Sequence, residues 1–125
     1  MSDAAYPIHI DVTTRYLEGQ APDEQKFAFA YYITIHNRGT ETVQLLNRYW
    51  LITDGNAKVT EVQGPGVIGQ QPHIAAGSKY QYSSGAILDT PVGSMQGYYE
   101  MRRFNGELFK ATIPLFSLAV PHMVN

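Results

Sequence analysis

The chain has 125 residues and a formal net charge of −2, with 44% hydrophobic residues, 16% charged residues and no cysteine. This length suits one domain with a core of its own, so we expect residues 1–125 to form a single domain. The scattered basic residues and near-neutral charge exclude the basic surface that is typical of direct nucleic-acid binding. The absence of cysteine excludes disulfides, thiolate zinc sites and a cysteine nucleophile.

The sequence predicts a cytoplasmic protein that is not inserted in a membrane. The first residues carry Asp3 and no apolar run, unlike a signal peptide. No apolar stretch approaches the ~20 residues that a membrane-spanning helix needs. The lack of cysteine modestly favours a reducing compartment.

Alternating apolar and polar side chains in the first half of the chain predict β-strands. The pattern is clearest where Ile8, Ile10 and Val12 alternate with polar residues, because successive strand side chains point to opposite faces. A later segment is apolar on both faces and contains Trp50, which suits a central strand and a core anchor. Asp54-Gly55 predicts a hairpin. The first four predicted strands are residues 8–16, 27–36, 43–53 and 58–62.

Residues 64–78 are the least regular segment, since their glycines and prolines leave little room for a regular element. A short strand follows at residues 79–83. A loop centred on Pro91 then leads to a strand at residues 95–104, which is rich in tyrosine and methionine.

The last part of the chain predicts one more hairpin. Asn105-Gly106 indicates a type I′ turn. The returning strand, residues 108–113, is expected to be interrupted by Pro114. Apolar residues between 116 and 120 suggest a further short edge segment or a docked tail.

About seven short strands with turns every ten or so residues predict an all-β fold. The expected architecture is a two-sheet antiparallel β-sandwich of immunoglobulin or fibronectin type III kind, and an eight-stranded barrel is the alternative. The Cys–Trp–Cys spacing of antibody domains is absent. Edge strands of such a sandwich are available for homodimerisation or for adding an extended peptide.

The segment Gly64-Pro65-Gly66-Val67-Ile68-Gly69 matches the G-x-G-x-x-G pattern. In dinucleotide-binding folds these glycines bring the backbone close to a pyrophosphate, and the N-terminus of a following helix holds its charge. Pro72 and Gly77 follow too closely to leave room for a βαβ unit. A structural loop is therefore the main expectation, with Gly64, Gly66 and Gly69 as a candidate anion-binding loop.

Metal binding and catalysis have little support. The histidines His9, His36, His73 and His122 lack the short ligand spacings of zinc sites, and only His73, in the glycine-rich segment, is a candidate ligand. No serine has the context of a nucleophile elbow, and Asp89 is expected to be a turn residue. We expect no enzyme activity and no cofactor.

Tyrosine is abundant, with nine residues in the chain. Tyrosine combines apolar area with a polar tip, which suits both half-buried strands and interfaces. Cross-strand packing is the simpler interpretation. The alternative is an interface with a partner protein that includes Tyr80, Tyr82, Tyr98 and Tyr99.

Five segments resemble the ApaG family of small bacterial proteins and span nearly the whole chain. They are residues 43–54 (VQLLNRYWLITD), 62–72 (VQGPGVIGQQP), 82–85 (YSSG), 90–99 (TPVGSMQGYY) and 109–118 (FKATIPLFSL). The resemblance implies a fibronectin type III-like sandwich. It also implies a genetic link to cobalt resistance and magnesium efflux, without an established activity.

Related domains attached to F-box proteins and to a polymerase-interacting protein imply protein–protein interaction. The family pattern includes the three glycines as a pyrophosphate motif, and this chain departs from it at Ala57, Ile68, Gln70 and Ala76. Two functions follow as expectations: a non-enzymatic module that binds an unidentified protein, or a sensor of nucleotide, pyrophosphate or divalent cation that uses the glycine-rich loop.

Overall fold

The structure is a computed structural model that describes residues 6–121, and these residues form two antiparallel sheets and no helix. The strands are β1 Ile8–Tyr16, β2 Phe27–Asn37, β3 Val43–Asp54, β4 Val59–Pro65, β5 His73–Ile74, β6 Lys79–Leu88, β7 Val92–Arg103 and β8 Leu108–Ala119. The first sheet has three strands in the order β1-β2-β6. The second has the order β4-β3-β7-β8, with the short β5 paired to β3.

The two sheets enclose one apolar core, as the alternating pattern predicts for a sandwich. Trp50 of β3 is 2% exposed and makes edge-to-face contacts with Tyr31 of β2 and Phe116 of β8. The contact with Tyr31 crosses from one sheet to the other, whereas Phe116 lies in the same sheet as Trp50. The all-β sandwich is confirmed, and the alternative of a closed barrel is wrong because the strands form two separate sheets.

Residues 6–121 form eight strands where about seven were predicted, and the additional one is the two-residue β5, inside the segment predicted to be irregular. The last strand is also longer than predicted. β8 does not stop at Pro114 but continues to Ala119. Pro114 lies where the β7–β8 register shifts, between the pairs Gly97↔Ile113 and Met95↔Phe116. A residue without an N–H is tolerated on an edge strand and at a bulge, so the ladder resumes beyond it.

The β7–β8 connection differs from the predicted type I′ turn. Gly106 donates its N–H to the Arg103 carbonyl at 2.9 Å, and Arg103 donates to the Glu107 carbonyl at 2.8 Å. Gly106 alone has a positive φ, 89°, whereas type I′ requires positive φ at two adjacent residues. The connection is longer than a two-residue type I′ turn and ends with one left-handed glycine.

The predicted hairpin after Asp54 is present, because β3 and β4 pair from Asn47↔Pro65 to Thr53↔Val59. Its left-handed residue is Ala57, with φ 64°, and not Gly55. An L-residue with a Cβ costs about 1–2 kcal/mol in this conformation. The Asp54 carboxylate accepts N–H groups from Asn56 and Lys58 at 2.8 and 2.9 Å and holds the turn despite that cost.

Ala57→Gly is expected to stabilise the protein slightly. Glycine relieves the left-handed conformation but adds about 0.4–1 kcal/mol of unfolded-chain entropy, so the net gain in the free energy of unfolding is about 0.5 kcal/mol. Urea denaturation followed by the fluorescence of Trp50 measures it. A lower midpoint than that of the wild type would contradict the assigned turn.

Residues 6–121 contain no helical segment with the length and hydropathy that a membrane crossing requires.

Candidate functional site

The three-glycine segment ends in a tight two-residue turn at Ile68 and Gly69. Val67 and Gln70 exchange backbone hydrogen bonds of 2.8 and 2.9 Å across it. Ile68 and Gly69 have φ values of 44° and 78°, the pattern of a type I′ turn. Val67 on one side of the turn is 1% exposed and belongs to the core, whereas Ile68 is 58% exposed. The turn is therefore anchored by one apolar side chain and displays the next.

This geometry gives little support to pyrophosphate binding at the glycine motif. The N–H of Gly66 donates to the Leu46 carbonyl at 2.7 Å, and the N–H groups of Val67 and Gln70 are bonded across the turn. No helix follows Gly69 among the described residues. The motif acts through free amides and a helix N-terminus. Gly66 and Gly69 instead have the positive φ values that the turn requires, whereas Gly64 lies in β4.

Ile68 is strained. A β-branched residue rarely adopts positive φ, and such a conformation costs of order 1–3 kcal/mol. The exposed side chain gains little burial in return. Strained backbone of this kind is concentrated at ligand-binding and switch positions, where function retains it.

Arg48 lies beside this turn on the inner face of the five-stranded sheet. It pairs with the fully buried Tyr99 of β7 and precedes Trp50 by two residues, so the three share a face. Its Nη1 donates to the carbonyls of Pro65 and Gly66, each at 3.0 Å. No carboxylate within residues 6–121 forms an ion pair with it. It is a half-buried cation without a counter-charge in that part of the chain.

Gly64 leaves room for this guanidinium, since a Cβ at position 64 would lie 3.0 Å from Arg48 Nη1.

An open cleft of about 210 Å³ joins the strained turn to Arg48, at the side of the sandwich where β6 ends the three-stranded sheet. We call it the β6 cleft. Aromatic side chains form much of its wall, Arg48 supplies a positive charge, and Ser84 supplies a hydroxyl. Its lining residues are Tyr31, Arg48, Trp50, Val67, Ile68, Gly69, Tyr82 and Ser84.

Two tyrosines of the expected interface lie in the core next to this cleft. Tyr82 is 8% exposed and Tyr99 is fully buried, and their hydroxyl oxygens are 2.5 Å apart. Burial raises the pKa of both phenols, because the ionised form is poorly solvated there. Their place in this structure is that of cross-strand packing, the simpler of the two interpretations.

These phenols predict a loss of stability at alkaline pH. A raised pKa in the folded state stabilises the protein fully below the unfolded value, 10.0, and the contribution falls as pH rises above it. Each phenol is expected to remove about 1.4 kcal/mol per pH unit. Urea midpoints between pH 8 and 11 measure the slope, which Tyr99→Phe reduces. A slope equal in wild type and Tyr99→Phe would contradict this.

Tyr80 and Tyr98 are half-buried and lie apart. Tyr80 contacts Tyr82 on β6, with ring centroids 6.3 Å apart. Tyr98 stacks on Tyr49 at 5.1 Å on the outer face and has Lys110 Nζ 4.5 Å above its ring. The structure therefore does not bring the four tyrosines together as one surface, and only Tyr80 stands next to the β6 cleft while retaining exposed surface.

His73 lies on β5 in an open groove with no partner for a metal. Arg102 and Arg103 line the same groove, and their charges disfavour a cation. Within residues 6–121, no three or more His, Asp or Glu residues are grouped so as to hold a metal ion. His122, the fourth histidine, lies outside the described residues.

The sequence spacing did not show that His9 and His36 meet. They are paired residues of β1 and β2, their rings are 5.6 Å apart, and Asp11 lies 2.8 and 2.9 Å from their Nε2 atoms. The hydrogen bond from His9 lowers the pKa of the Asp11 carboxyl. Aligning the apolar faces of β1 and β2 in an antiparallel register would have paired His9 with His36.

Comparison with known proteins gives consistent results. The family model described as the ApaG domain matches residues 17–103. Protein ApaG of Klebsiella pneumoniae is 53% identical over 117 residues, covering 93% of this chain and 94% of that protein. Protein ApaG of Proteus mirabilis is 52% identical over 119 residues, covering 94% and 95%.

Solved structures agree in fold. A Bordetella pertussis protein whose crystal structure carries the name ApaA has a TM-score of 0.89 and 43% identity, with 94% of this chain and 96% of that chain covered. An Archaeoglobus fulgidus protein has a TM-score of 0.58 at 5% identity, covering 91% and 98%, which shows the fold alone.

Proposed function

The chain belongs to the ApaG family, and from that membership we propose that it is a non-enzymatic module that binds a partner protein through the β6 cleft. The observation that carries the proposal is Ile68, an exposed β-branched residue held at φ 44° on the rim of that cleft. An exposed isoleucine in strained backbone has no packing reason to be there. Contact with a partner supplies one, because it buries the side chain and offsets the strain.

The composition of the cleft supports a protein partner. Aromatic residues and arginine are enriched at the energetically important centres of protein interfaces, and Trp50, Tyr82 and Arg48 line this one. A catalytic pairing of nucleophile and base has no counterpart among these side chains.

The link to cobalt resistance and magnesium efflux that the family resemblance implies would then operate through the partner. The alternative, a sensor that binds pyrophosphate, nucleotide or a divalent cation at the glycine loop, has less support. The amides of Gly66, Val67 and Gln70 are already bonded. Addition of millimolar pyrophosphate, ATP, Mg²⁺ or Co²⁺ with NMR observation of the loop amides tests it, and saturable shifts there would favour the sensor.

Photo-crosslinking in cells tests the proposed function. A photoreactive residue placed at Ser83, exposed on edge strand β6, is compared with one at Ser117, exposed on edge strand β8. The two sites match in residue type, exposure and strand position but lie on different edges. We expect a discrete protein adduct from position 83 and none from position 117. No adduct from either site, or equal adducts from both, would contradict binding at the β6 cleft.

A further inference from the structure

We infer that the partner segment is an extended acidic peptide that adds as a fourth strand to the free edge of β6 and places a carboxylate against Arg48. This inference rests on the proposed function and specifies its binding mode. It follows from three features within residues 6–121: a sheet edge without a neighbour, a wider opposing sheet, and a cation without a counter-charge.

The first feature is the unpaired edge of β6. In β2, even-numbered residues bond to β1, since Leu17 donates to Ala28 and Arg38 donates to Pro7 across that pair. Odd-numbered residues of β2 bond to β6, as Asn37 does to Ser78. Bonded pairs alternate along an antiparallel ladder. The backbone N–H and C=O groups of the even-numbered residues of β6 therefore point towards β2. The N–H and C=O groups of Gln81, Ser83 and Gly85 face away from the sheet.

This edge lacks the devices that protect edge strands. β6 contains no proline and no bulge relative to β2, and Lys79 at its start is its sole charged residue. Natural edge strands are usually blocked by charge, proline or irregularity. Four successive residues, Ser83 to Ala86, are small, so an incoming backbone meets little steric hindrance. Such an edge recruits a peptide by strand addition.

The second feature is the unequal width of the two sheets. Three strands lie against a sheet whose main path has four, and β4 is the outer strand of the wider sheet on the cleft side. Val62 of β4 packs against the core but is only half-buried, whereas Trp50 of the adjacent β3 is buried. A strand added beside β6 would cover this part of β4.

The third feature sets the chemistry of the occupant. Side chains of an added strand alternate between the outer surface and the space between the sheets. Those that point inward next to Ser84 enter the β6 cleft, which Arg48 also lines. Arg48 donates to two carbonyls and has no ion pair with a carboxylate of residues 6–121. A glutamate or aspartate side chain supplies the missing charge, and a charge-assisted hydrogen bond is stronger than one between neutral groups.

Ion pairs occupy the C-terminal end of the β6 edge. Asp89, which follows β6, pairs with Lys26 and with Lys58 of the β3–β4 hairpin. An added strand therefore fits between the ion pairs of Asp89 and the turn at Ile68.

A second copy of this chain is a poorer occupant than an acidic peptide. Pairing β6 with β6 of another molecule would bring Lys79 and no acidic residue, because the strand reads KYQYSSGAIL. Arg48 would remain without a counter-charge. The same surface thus favours a different chain with alternating β-branched and acidic residues.

The test uses the whole protein and two acetylated, amidated pentapeptides, Thr-Val-Glu-Val-Thr and its Gln analogue. The Glu peptide is expected to bind at least about tenfold more tightly than the Gln peptide, because a hydrogen bond to a charged group is stronger than one to a neutral group. Arg48→Gln should abolish that difference. Because Arg48→Gln also removes two bonds to the loop, the comparison of peptides on the unchanged protein carries the test.

Amide hydrogen exchange locates the peptide. Binding should newly protect Gln81, Ser83 and Gly85 and leave the edge of β1 unaffected. Equal affinity for the two peptides, protection at another edge, or a β6-paired homodimer in sedimentation would each overturn the inference. If the peptides do not bind while position 83 still yields a protein adduct, this binding mode is wrong and the proposed function stands. If neither peptide binds and position 83 yields no adduct, the binding mode and the proposed function are both wrong.

Discussion

Gly97→Ala should destabilise the protein by at least about 4 kcal/mol, the largest effect that we expect from any single methyl group in this chain. A Cβ at this position would lie 1.9 Å from the Tyr49 carbonyl oxygen and 3.1 Å from the Trp50 Cα. Both are backbone atoms of β3, the strand paired with β7. Neither can move without separating the two central strands, and effects of this size are confined to such disruptions.

A glycine of edge strand β6, where an added Cβ approaches no backbone atom as closely, serves as the control. At Gly85 of β6, the nearest atom to an added Cβ is the Phe29 carbonyl oxygen at 3.3 Å. Gly85→Ala should therefore change the free energy of unfolding by less than about 1 kcal/mol. Urea denaturation at neutral pH, followed by circular dichroism and by the fluorescence of Trp50, compares the two variants. A Gly97→Ala protein within 1 kcal/mol of the wild type would mean that β3 and β7 are not packed this closely.

Gly66→Ala is expected to cost about 3 kcal/mol and to disrupt the turn that carries Ile68. Position 66 has φ 60°, and a Cβ there would lie 2.1 Å from the Gln70 carbonyl oxygen. The left-handed penalty of about 1–2 kcal/mol and the overpacking penalty of about 1–3 kcal/mol act together. Val67, the next residue, would lose its place in the core.

Gly69→Ala separates these two costs. Gly69 has φ 78°, but a Cβ there meets nothing within 4 Å. The Gly69→Ala protein should lose only about 1–2 kcal/mol in the free energy of unfolding, and a crosslink from position 83 should persist. A glycine motif acting through close approach of an anion would instead make both variants lose pyrophosphate binding, because each adds a Cβ to the loop. Equal destabilisation by the two substitutions would contradict the packing assigned to Gly66.

The strand pattern was predictable because it depends on local alternation. Ile10, Ile33 and Ile35 face the core as their spacing predicts. Pro114 was misjudged for a non-local reason. Whether a proline ends a strand depends on whether a neighbour needs its N–H, and that follows from the edge position and the β7–β8 register shift.

The β6 cleft was only partly predictable. The sequence drew attention to the glycine loop and to tyrosines of β6, but the key cation, Arg48, was missed. A register shift in β3, between Leu45 and Asn47, sets which of the following residues face inward. A one-residue shift exchanges the two faces of a strand, so Arg48 faces inward with Trp50. No local signal marks that shift, although an arginine two residues before a buried tryptophan is a reason to look for one.

The most direct test of the account is to measure stability and partner capture together for Ile68→Asn. Asparagine tolerates left-handed backbone far better than isoleucine. The account predicts that the free energy of unfolding rises by about 1 kcal/mol while the crosslinked adduct from position 83 is lost. Opposite changes of this kind mark a residue retained for binding. An adduct of undiminished yield in a stabilised Ile68→Asn protein would contradict the role of Ile68, and with it the proposed binding surface.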